Sequence, residues 1–411
     1  MSKINELINN LCPNGVEYKN IKNLCLENFW VMPSTPNYQN EGIPYITSKN
    51  IRNGIVMFDD VKYITEEDYK SISNNRPIKE NDFLISMIGT IGEVGIVQKE
   101  NLPFYGQNMY LLRLNTNLIN IKYFYHYFTS DMVRNKLLGE KNNGNQGYLK
   151  TKNIESLIVP IPPLEVQEEI VRILDKFGEL EAELEAELEA RKSQYEFWSG
   201  KVFNRDKETI VTLETIGDVT KLAGFEFSKY VHYSDEGNVI ALRGLNVKNG
   251  HLVLDDVKYV DNSDFSKLNR SKLYENDILY TYVGTVGQVG LVDKNDKYYL
   301  APNVARIRIF DKKVNPKYVM HFLLTAEFKI NQLESLSGTS SMKNITMTNI
   351  RKFKIPVPSL QEQERVVNIL DKFDTLVNDI TEGIPAEIEL RRQQYEYYRN
   401  KLLSFEEFLN E

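Results

Sequence analysis

Two kinds of hydrophobic pattern alternate along the chain. In residues 16–158 and 209–354, β-branched and aromatic residues form short runs separated by NG, GT and ND turns, as in IRNGIVMF and VKNGHLVL. Such runs predict the strands of a mixed α/β domain. After each stretch, a proline-containing segment leads into a long run in which apolar residues recur at helical spacing. The pattern therefore predicts two α/β domains, each followed by a long amphipathic helix.

The apolar stripes identify the inner faces of these helices. The first stripe consists of Leu164, Ile170, Leu174, Phe177, Leu184, Leu188 and Tyr195, and the second of Leu360, Val366, Leu370, Phe373, Ile380 and Tyr395. Two such stripes in one chain predict an antiparallel coiled coil. Pro385 lacks an amide donor and would clash with the preceding turn, so we expect the second helix to break or kink at residues 383–385. The first helix has no internal proline and should be continuous.

The chain is one unit of about two hundred residues written twice. PIPPLEVQEEIVRILDKF begins at Pro160 and PVPSLQEQERVVNILDKF begins at Pro356, 196 residues later. NDFLISMIGTIGEVGIV begins at Asn81 and NDILYTYVGTVGQVGLV begins at Asn276, 195 residues later. The predicted fold is therefore α+β with an internal pseudo-two-fold repeat. Its predicted segments are a first domain (1–158), a first helix (159–203), a second domain (204–354) and a second helix (355–411).

Charge separates the helices from the domains. The chain has a formal net charge of −7. Residues 162–198 and 356–411 together carry 23 acidic and 10 basic side chains, which leaves 34 acidic and 40 basic side chains in the rest of the chain. An excess of Lys and Arg favours contact with phosphates, whereas the acidic helices should avoid a polyanion and hold other protein.

The remaining chemistry of the sequence is sparse. No run of about 18 apolar residues could span a membrane and residues 1–10 lack the apolar core of a signal peptide, so we expect a cytoplasmic protein without a membrane partner. Cys12 and Cys25 have no metal or CxxC spacing. His126 and His321 occupy equivalent places in apolar segments, which indicates duplicated core packing, and no metal site is expected.

No enzymatic motif is present. The sequence has neither an Asp/Asn-Pro-Pro-aromatic loop, which would hold the amine of a target adenine, nor a GxxxxGK[ST] phosphate loop. The glycine-rich runs MIGTIGEVG and YVGTVGQVG lack the lysine of a nucleotide loop. Because each lies between apolar strands, we predict tight β-turns with glycine at positive φ. The sequence thus predicts a non-catalytic protein that needs no cofactor of its own.

The helix starts, the ending EGIPAEIELRRQQYEYYRNKLLSF and the opening LCPNGVEYKNIKNLC resemble the DNA-specificity (S, HsdS) subunits of type I restriction-modification systems. This resemblance covers nearly the whole chain. It implies two target recognition domains, each reading one half of a bipartite DNA site, held apart by two helices. It also implies that methyltransferase (M) subunits dock on the helices, with the stripe residues named above as the candidate partner-binding positions, and that a restriction (R) subunit joins the full complex. S-adenosylmethionine and ATP with Mg are then expected in the partner subunits.

Polar loops between strands are the candidate DNA-reading positions, because Arg, Lys, Asn and Gln recognise base edges while Lys, Ser and Thr contact phosphates. In the first domain they are Ser48, Lys49, Asn50, Arg52, Tyr105, Gln107, Asn108, Lys141, Asn143, Asn145, Gln146 and Lys150. In the second they are Arg243, Asn246, Lys248, Tyr282, Thr285, Asn303, Thr339, Ser340 and Lys343. The two halves differ at these loops, which predicts two different half-sites in double-stranded DNA and an asymmetric target.

Two other functions remain compatible with the residues. A coiled-coil scaffold or adaptor without a DNA role is favoured by the net acidity. A specificity component of a related restriction system that is not type I would have the same repeat.

One further pattern concerns length. Residues 179–190 read ELEAELEAELEA, a tetrapeptide written three times. Phe177 to Arg191 spans 14 residues, whereas Phe373 to Arg391 spans 18. High helix propensity explains the composition of the repeat but not its exact repetition. We therefore interpret this segment as a ruler, adjustable in units of four residues, that sets the unspecified gap of the target.

Overall fold

The sequence repeat is also a repeat of structure. A computed structural model describes residues 2–89, 91–139, 149–203, 209–333, 344–379 and 382–408. Contacts divide the chain into unit 1, which comprises Met1–Glu183 and Ile388–Glu411, and unit 2, which comprises Leu184–Glu387. Within the described residues, no helix has the length and apolar character needed to cross a bilayer.

The helices follow one another in chain order. They are α1 (Ser2–Leu11), α2 (Ile21–Leu24), α3 (Glu66–Ser73), α4 (Ile121–Phe128), α5 (Asp131–Gly139), α6 (Thr151–Glu155), α7 (Leu164–Phe203), α8 (Leu213–Ile216), α9 (Gly224–Tyr230), α10 (Pro316–Leu324), α11 (Ala326–Phe328), α12 (Met347–Arg351), α13 (Leu360–Asn378) and α14 (Ile384–Leu402). Short 3-10 turns occupy Ser48–Asn50, Lys99–Asn101, Gly244–Asn246, Phe265–Lys267 and Asn269–Ser271, and a π-helical turn occupies Lys329–Leu333.

Unit 1 contains eleven strands in its described residues. They are β1 (Glu17–Asn20), β2 (Cys25–Val31), β3 (Ile43–Ile46), β4 (Ile51–Arg52), β5 (Ile55–Val56), β6 (Lys62–Ile64), β7 (Phe83–Ser86), β8 (Val94–Ile96), β9 (Tyr105–Gly106), β10 (Met109–Leu114) and β11 (Ile158–Ile161). The main sheet has the order β2-β10-β7-β8 and is antiparallel. A smaller sheet has the order β6-β3-β9, while β1 pairs with β11 and β4 with β5.

Unit 2 has the same topology. Its strands are β12 (Thr209–Thr212), β13 (Gly217–Lys221), β14 (Ile240–Leu242), β15 (Val247–Lys248), β16 (His251–Leu252), β17 (Lys258–Tyr259), β18 (Ile278–Thr281), β19 (Val289–Leu291), β20 (Tyr298–Leu300), β21 (Val304–Ile309) and β22 (Lys354–Val357). The main sheet is β13-β21-β18-β19, the smaller one is β17-β14-β20, and β12-β22 and β15-β16 form pairs. The predicted pair of α/β domains with an internal repeat is therefore confirmed.

Both faces of each main sheet are covered, because successive side chains of a strand point to opposite sides. In β7, Phe83 and Ile85 enter one core cluster and Leu84 enters another. In β18, Ile278 and Tyr280 enter one cluster and Leu279 the other. Helices cover the first face and the smaller sheet covers the second. Neither face of the main sheet is therefore open to a ligand, whereas the loops between the two sheets can be.

The long helices pack antiparallel, as the stripes predicted. In unit 1, the Phe177 ring of α7 lies 5.5 Å from the Tyr398 ring of α14. One turn further along α7, Glu181 accepts a hydrogen bond of 2.5 Å from Arg392, which precedes Tyr398. In unit 2, Tyr195 of α7 lies 6.4 Å from Phe373 of α13.

The predicted break in the second helix is present, and α7 is continuous over its 40 residues. Helix α13 ends at Asn378 and α14 begins at Ile384. Pro385 is the second residue of α14, where a missing amide donor costs nothing. Gly383 lies in this break, and only a residue without a Cβ fits there, because a Cβ would lie 2.5 Å from the carbonyl oxygen of Thr375.

The glycine-rich turns also have the predicted backbone. Gly89 and Gly92, between β7 and β8, have φ of +82° and +84°. Gly284 and Gly287, between β18 and β19, have φ of +81° and +89°. Side chains with a Cβ rarely adopt these angles, so these glycines make the tight turn.

Each unit holds its own helix through a buried histidine. His126 of α4 is 5% exposed, as core packing predicts, and its Nε2 lies 2.9 Å from Asp175 of α7. His321 of α10 is 2% exposed, with its Nε2 2.8 Å from Asp371 of α13. The hydrogen bond from His126 holds the pKa of Asp175 below its ordinary value. The sequence indicated the burial but not these carboxylate partners.

Unit 2 has a further ion pair between its domain and its helix, in addition to those that His321 and Lys317 make with Asp371. His251, in the β15-β16 hairpin, places its Nε2 2.6 Å from Oδ2 of Asp374 in α13. The hydrogen bond that His251 donates to Asp374 raises the pKa of His251 above its ordinary value of 6.5. The equivalent residues of unit 1 are Ile55 and Gly178, so unit 1 cannot form this pair.

Candidate nucleic-acid interface

The candidate loops of each unit lie where the main and smaller sheets meet. In unit 2, Arg243 follows β14, Thr285 follows β18 and Asn303 precedes β21. The Tyr282 amide donates to the Asn303 carbonyl oxygen at 3.1 Å, which joins two of these loops. Asn303 has φ of +70°, a turn conformation that Asn tolerates better than most residues. Three loops separated in sequence thus converge.

Unit 1 repeats this arrangement. The Met87 amide donates to the Asn108 carbonyl oxygen at 3.1 Å, and Asn108 has φ of +65°. Gln107 is half-buried, its amide donates to the Ile46 carbonyl oxygen at 3.1 Å, and its Oε1 accepts a hydrogen bond of 3.4 Å from Tyr45. The turn that follows β9 is therefore tied to β3, which leads directly into the Ser48–Asn50 turn.

The structure removes three residues from the predicted DNA surface, because their side chains are buried. Asn246 is fully buried; its Oδ1 accepts from the Arg243 amide, and its Nδ2 donates to the carbonyl oxygens of Val253 and Asp256. Asn50 is 3% exposed and holds the equivalent loop of unit 1. These asparagines therefore shape the loops.

Tyr105 is the third of these residues. It is 3% exposed, and its hydroxyl donates to the carbonyl oxygen of Arg76 at 3.1 Å. Burial raises its pKa above the ordinary value. Tyr105 thus anchors the turn that carries Gln107 and Asn108 and does not present its ring to a ligand.

Several basic candidates are held by acidic neighbours. Lys49 is exposed and lies 2.7 Å from Asp60. Arg243 donates from one guanidinium nitrogen to the carboxylate and the carbonyl oxygen of Asp256, both at 2.8 Å. Asp60 and Asp256 are 196 residues apart and so occupy equivalent positions. Each pair orients a cation at the edge of the smaller sheet.

The other described candidates are accessible. Arg52 and Lys248 are exposed at equivalent places on β4 and β15, and Lys150 is exposed just before α6. Ser48 and Tyr282 are half-buried, while Thr285 is exposed. Lys221 lies 5.4 Å from the centre of the Tyr282 ring. The accessible candidate residues are polar or positive in both units, which suits a phosphate-bearing ligand.

Some predicted positions lie outside the described residues. They are Lys141, Asn143, Asn145, Gln146, Thr339, Ser340, Lys343 and, in the second helix, Ile380.

One cavity of unit 2 contains residues that the sequence did not single out. It has a volume of about 490 Å³ and brings together Arg243, Thr285 and Asn303. Phe227 and Tyr233 form its apolar wall, with ring centres 5.6 Å apart. The run GFEFSKY, with two phenylalanines on a short helix, was the sequence signal that could have found this wall.

The helix residues expected to bind partner subunits fall into two groups. Ile170, Leu174, Val366 and Leu370 are essentially unexposed in the core clusters of their own units, which corrects the expectation that they face a partner. Leu164, Phe177, Leu184, Leu188, Tyr195, Phe373 and Tyr395 are half-buried, and Leu360 is 43% exposed. The inner stripe thus fixes each helix to its own unit.

Exposed aromatic residues lie on another face of the helices. Phe197 of α7 and Tyr397 of α14 are each 61% exposed. They stand 200 residues apart, at the same place in RKSQYEFW and RRQQYEYY. Lys201 lies 5.6 Å from the Phe197 ring and 5.4 Å from the Trp198 ring. This duplicated feature could have been found from the repeat.

The chain is similar to known proteins over most of its length. A family model described as the type I restriction modification DNA specificity domain matches residues 13–190 and again residues 209–390. The specificity subunit of the type I restriction enzyme EcoR124I/EcoR124II from Escherichia coli is 33% identical over 300 residues, which cover 69% of this chain and 71% of that protein. The EcoKI specificity subunit from Escherichia coli K12 is 26% identical over 382 residues, or 84% and 81% of the two chains.

Solved structures share the fold. The HsdS subunit from Thermoanaerobacter tengcongensis matches with a TM-score of 0.53 and 16% identity, over 96% of this chain and 97% of that one. A chain from a structure on complex assembly and conformational transition of the type I R-M system matches with a TM-score of 0.67 and 14% identity, over 95% and 98%. At these identities the likeness concerns the fold alone.

Proposed function

Because the chain belongs to the family of type I restriction-modification DNA specificity subunits, we propose that its two units read the two halves of a split, asymmetric DNA site. In this proposal, the chain is a non-catalytic subunit that positions methyltransferase and restriction subunits on double-stranded DNA. S-adenosylmethionine and ATP with Mg act in those partners. The observation that carries the proposal is one scaffold built twice with different side chains at equivalent loop positions.

The difference between the loops supports two different half-sites. Gln107 and Asn108 in unit 1 correspond to Pro302 and Asn303 in unit 2. Unit 1 thus has an amide that can read adenine at a position where unit 2 has a residue without a polar side chain. The buried asparagines of the two units are identical, as are the positive-φ asparagines. The parts that shape the loops are shared, and the parts that would meet a base differ.

Charge supports the same assignment. The chain outside the two helix segments has a formal net charge of +6, while residues 162–198 and 356–411 together have −13. A polyanion is therefore attracted to the two domains and repelled by the helices. Arg52, Lys150 and Lys248 are exposed and have the reach to contact phosphates.

The methyltransferase subunits are assigned to the outer helix faces. Phe197 and Tyr397 are equivalent and exposed, and exposed aromatic side chains are the kind that anchor protein interfaces. Two equivalent anchors accommodate two copies of one partner. Phe197→Ser and Tyr397→Ser should each weaken association with the methyltransferase subunit, measured by analytical ultracentrifugation. Unchanged association in the double variant contradicts this assignment.

Duplex binding tests the DNA role. The complex of this chain with its methyltransferase subunit should bind duplex with an affinity that falls steeply with salt, since each phosphate contact adds about −0.9 to the slope of log K against log salt. Lys248→Gln should weaken binding to all sequences and reduce the slope by about one. Salt-independent binding would favour the adaptor role instead.

Two substitutions separate the half-sites. Gln107→Ala should relax preference at one half-site and Arg243→Ala at the other, each by about 1–3 kcal/mol of discrimination. Methylated motifs recovered by methylome sequencing report both changes. Glu226→Gln, on the half-buried side of α9, is a control that keeps both half-sites. A change in both half-sites caused by either substitution would contradict the assignment of one half-site to each unit.

A further inference from the structure

The cavity of unit 2 has an apolar lining in the middle of a polar, positive loop cluster. Its volume is about 490 Å³, and Phe227, Tyr233, Leu245, Val283 and Pro302 form the apolar part of its wall. Arg243, Thr285 and Asn303 lie at the same cavity. A site made only for phosphates would need no such wall.

Part of this wall is open to solvent. Leu245 is 51% exposed and Tyr233 is 40% exposed, and Phe225, on the same short helix as Phe227, is 69% exposed. Covering exposed apolar surface with an apolar group lowers the free energy of the system. In unit 1, the chain between β2 and β3 forms no helix, so α9 and its Phe227 have no counterpart there.

The polar rim has a fixed orientation. Asp256 holds the Arg243 guanidinium with two contacts of 2.8 Å. Arg243 therefore holds a fixed positive charge beside the apolar wall, which suits a ligand with adjacent polar and apolar edges.

In the major groove of B-DNA, only one base presents a hydrogen-bonding group directly beside a methyl group. Guanine, cytosine and adenine show donors and acceptors there, whereas thymine shows an acceptor, O4, beside its C5-methyl group. An apolar wall placed against any other base edge would bury polar groups without a partner, which costs free energy.

We propose that this cavity takes the C5-methyl group of a thymine in the half-site read by unit 2, with Leu245, Val283 and the Phe227–Tyr233 wall as the specificity-determining contacts. The inference rests on the proposed DNA-reading function and names one base that unit 2 selects. Arg243 and Asn303 then face the polar edges of that base or its neighbour.

Deoxyuridine tests the inference, because it differs from thymine only in lacking the methyl group. The half-site is first identified by methylome sequencing, and each of its thymines, on either strand, is replaced in turn by deoxyuridine. The dissociation constant of the complex with its methyltransferase subunit is measured by fluorescence anisotropy. At one thymine, the dissociation constant should rise about fourfold, as expected for one buried methyl group.

A double-mutant cycle assigns that penalty to the cavity. In Leu245→Ala, the deoxyuridine penalty at that thymine should fall below about twofold, because the wall no longer surrounds the methyl group. Val283→Ala should act in the same direction and serves as a second variant if the first fails to fold. Leu254→Ala, a truncation of another partly exposed leucine of unit 2 that does not line this cavity, should keep the full penalty.

The outcomes separate the inference from the function beneath it. Half-site-specific binding without a deoxyuridine penalty, a unit 2 half-site without thymine, or a penalty that persists in both cavity variants would overturn the inference and leave the DNA-reading function intact. Binding with no half-site preference would overturn the function itself.

Discussion

Removal of one ELEA copy from residues 179–190 is the sharpest test of how the helices act. Because the three copies are identical, the same shortened chain results whichever copy is removed. The repeat lies inside α7, which is continuous from Leu164 to Phe203. A continuous helix transmits a change of length to both of its ends, since no loop is available to absorb it.

The magnitude follows from helix geometry. Four residues shorten α7 by about 6 Å and turn one end against the other by a net of about 40°. Duplex DNA rises about 3.4 Å per base pair and turns through about 34–36° per base pair at 10–10.5 base pairs per turn. The translation therefore corresponds to about two base pairs and the rotation to about one. We expect the unspecified gap of the target to shorten by one or two base pairs while both half-sites stay the same.

Methylome sequencing of cells that carry the two-copy or three-copy chain with the same methyltransferase subunit measures the gap directly. A matched control replaces Glu183 and Glu187 by glutamine, which changes the charge of the repeat but not its length, and should leave the gap unaltered. An unaltered gap with full methylation in the two-copy chain, or a changed half-site, would refute the ruler.

Two smaller predictions concern the helices and their attachment. Gly383→Ala should lower the free energy of unfolding by about 1–3 kcal/mol, because its Cβ would lie 2.5 Å from a carbonyl oxygen; Gly178→Ala, with nothing within 4 Å, should instead raise it by up to about 1 kcal/mol. In urea titrations, a Gly383→Ala variant more stable than Gly178→Ala would contradict the close contact at Gly383. Asp374 raises the pKa of His251, so their pair stabilises unit 2 fully below pH 6.5 and loses this effect as the pH rises through the raised pKa. The stability difference between wild type and His251→Asn should therefore shrink with rising pH from at most about 1 kcal/mol, since the histidine is partly exposed; a difference that grew would show that the ion pair is not its source.

The sequence by itself determined the repeat, the long helices and the places where the chain turns. The repeat follows from comparing segments 195–196 residues apart, whereas the helices and turns depend on signals within a few residues of each other. A stripe at helical spacing sets the buried face of α7, Pro385 forbids a continuous second helix, and the glycines after β7 and β18 permit the only backbone that fits a tight turn. Such restrictions act on the local backbone, and they hold whatever the rest of the chain does.

Only the tertiary structure decided which polar residues are available to a ligand. Asn50 and Arg52 are two residues apart, yet one is buried and the other exposed, because the buried amide completes a loop against residues further along the chain. The partner of His126 lies 49 residues away in α7. The cavity of unit 2 joins Phe227 to Val283 across 56 positions. Burial and pairing of this kind arise from packing between distant segments, whose free energy no short window of sequence contains.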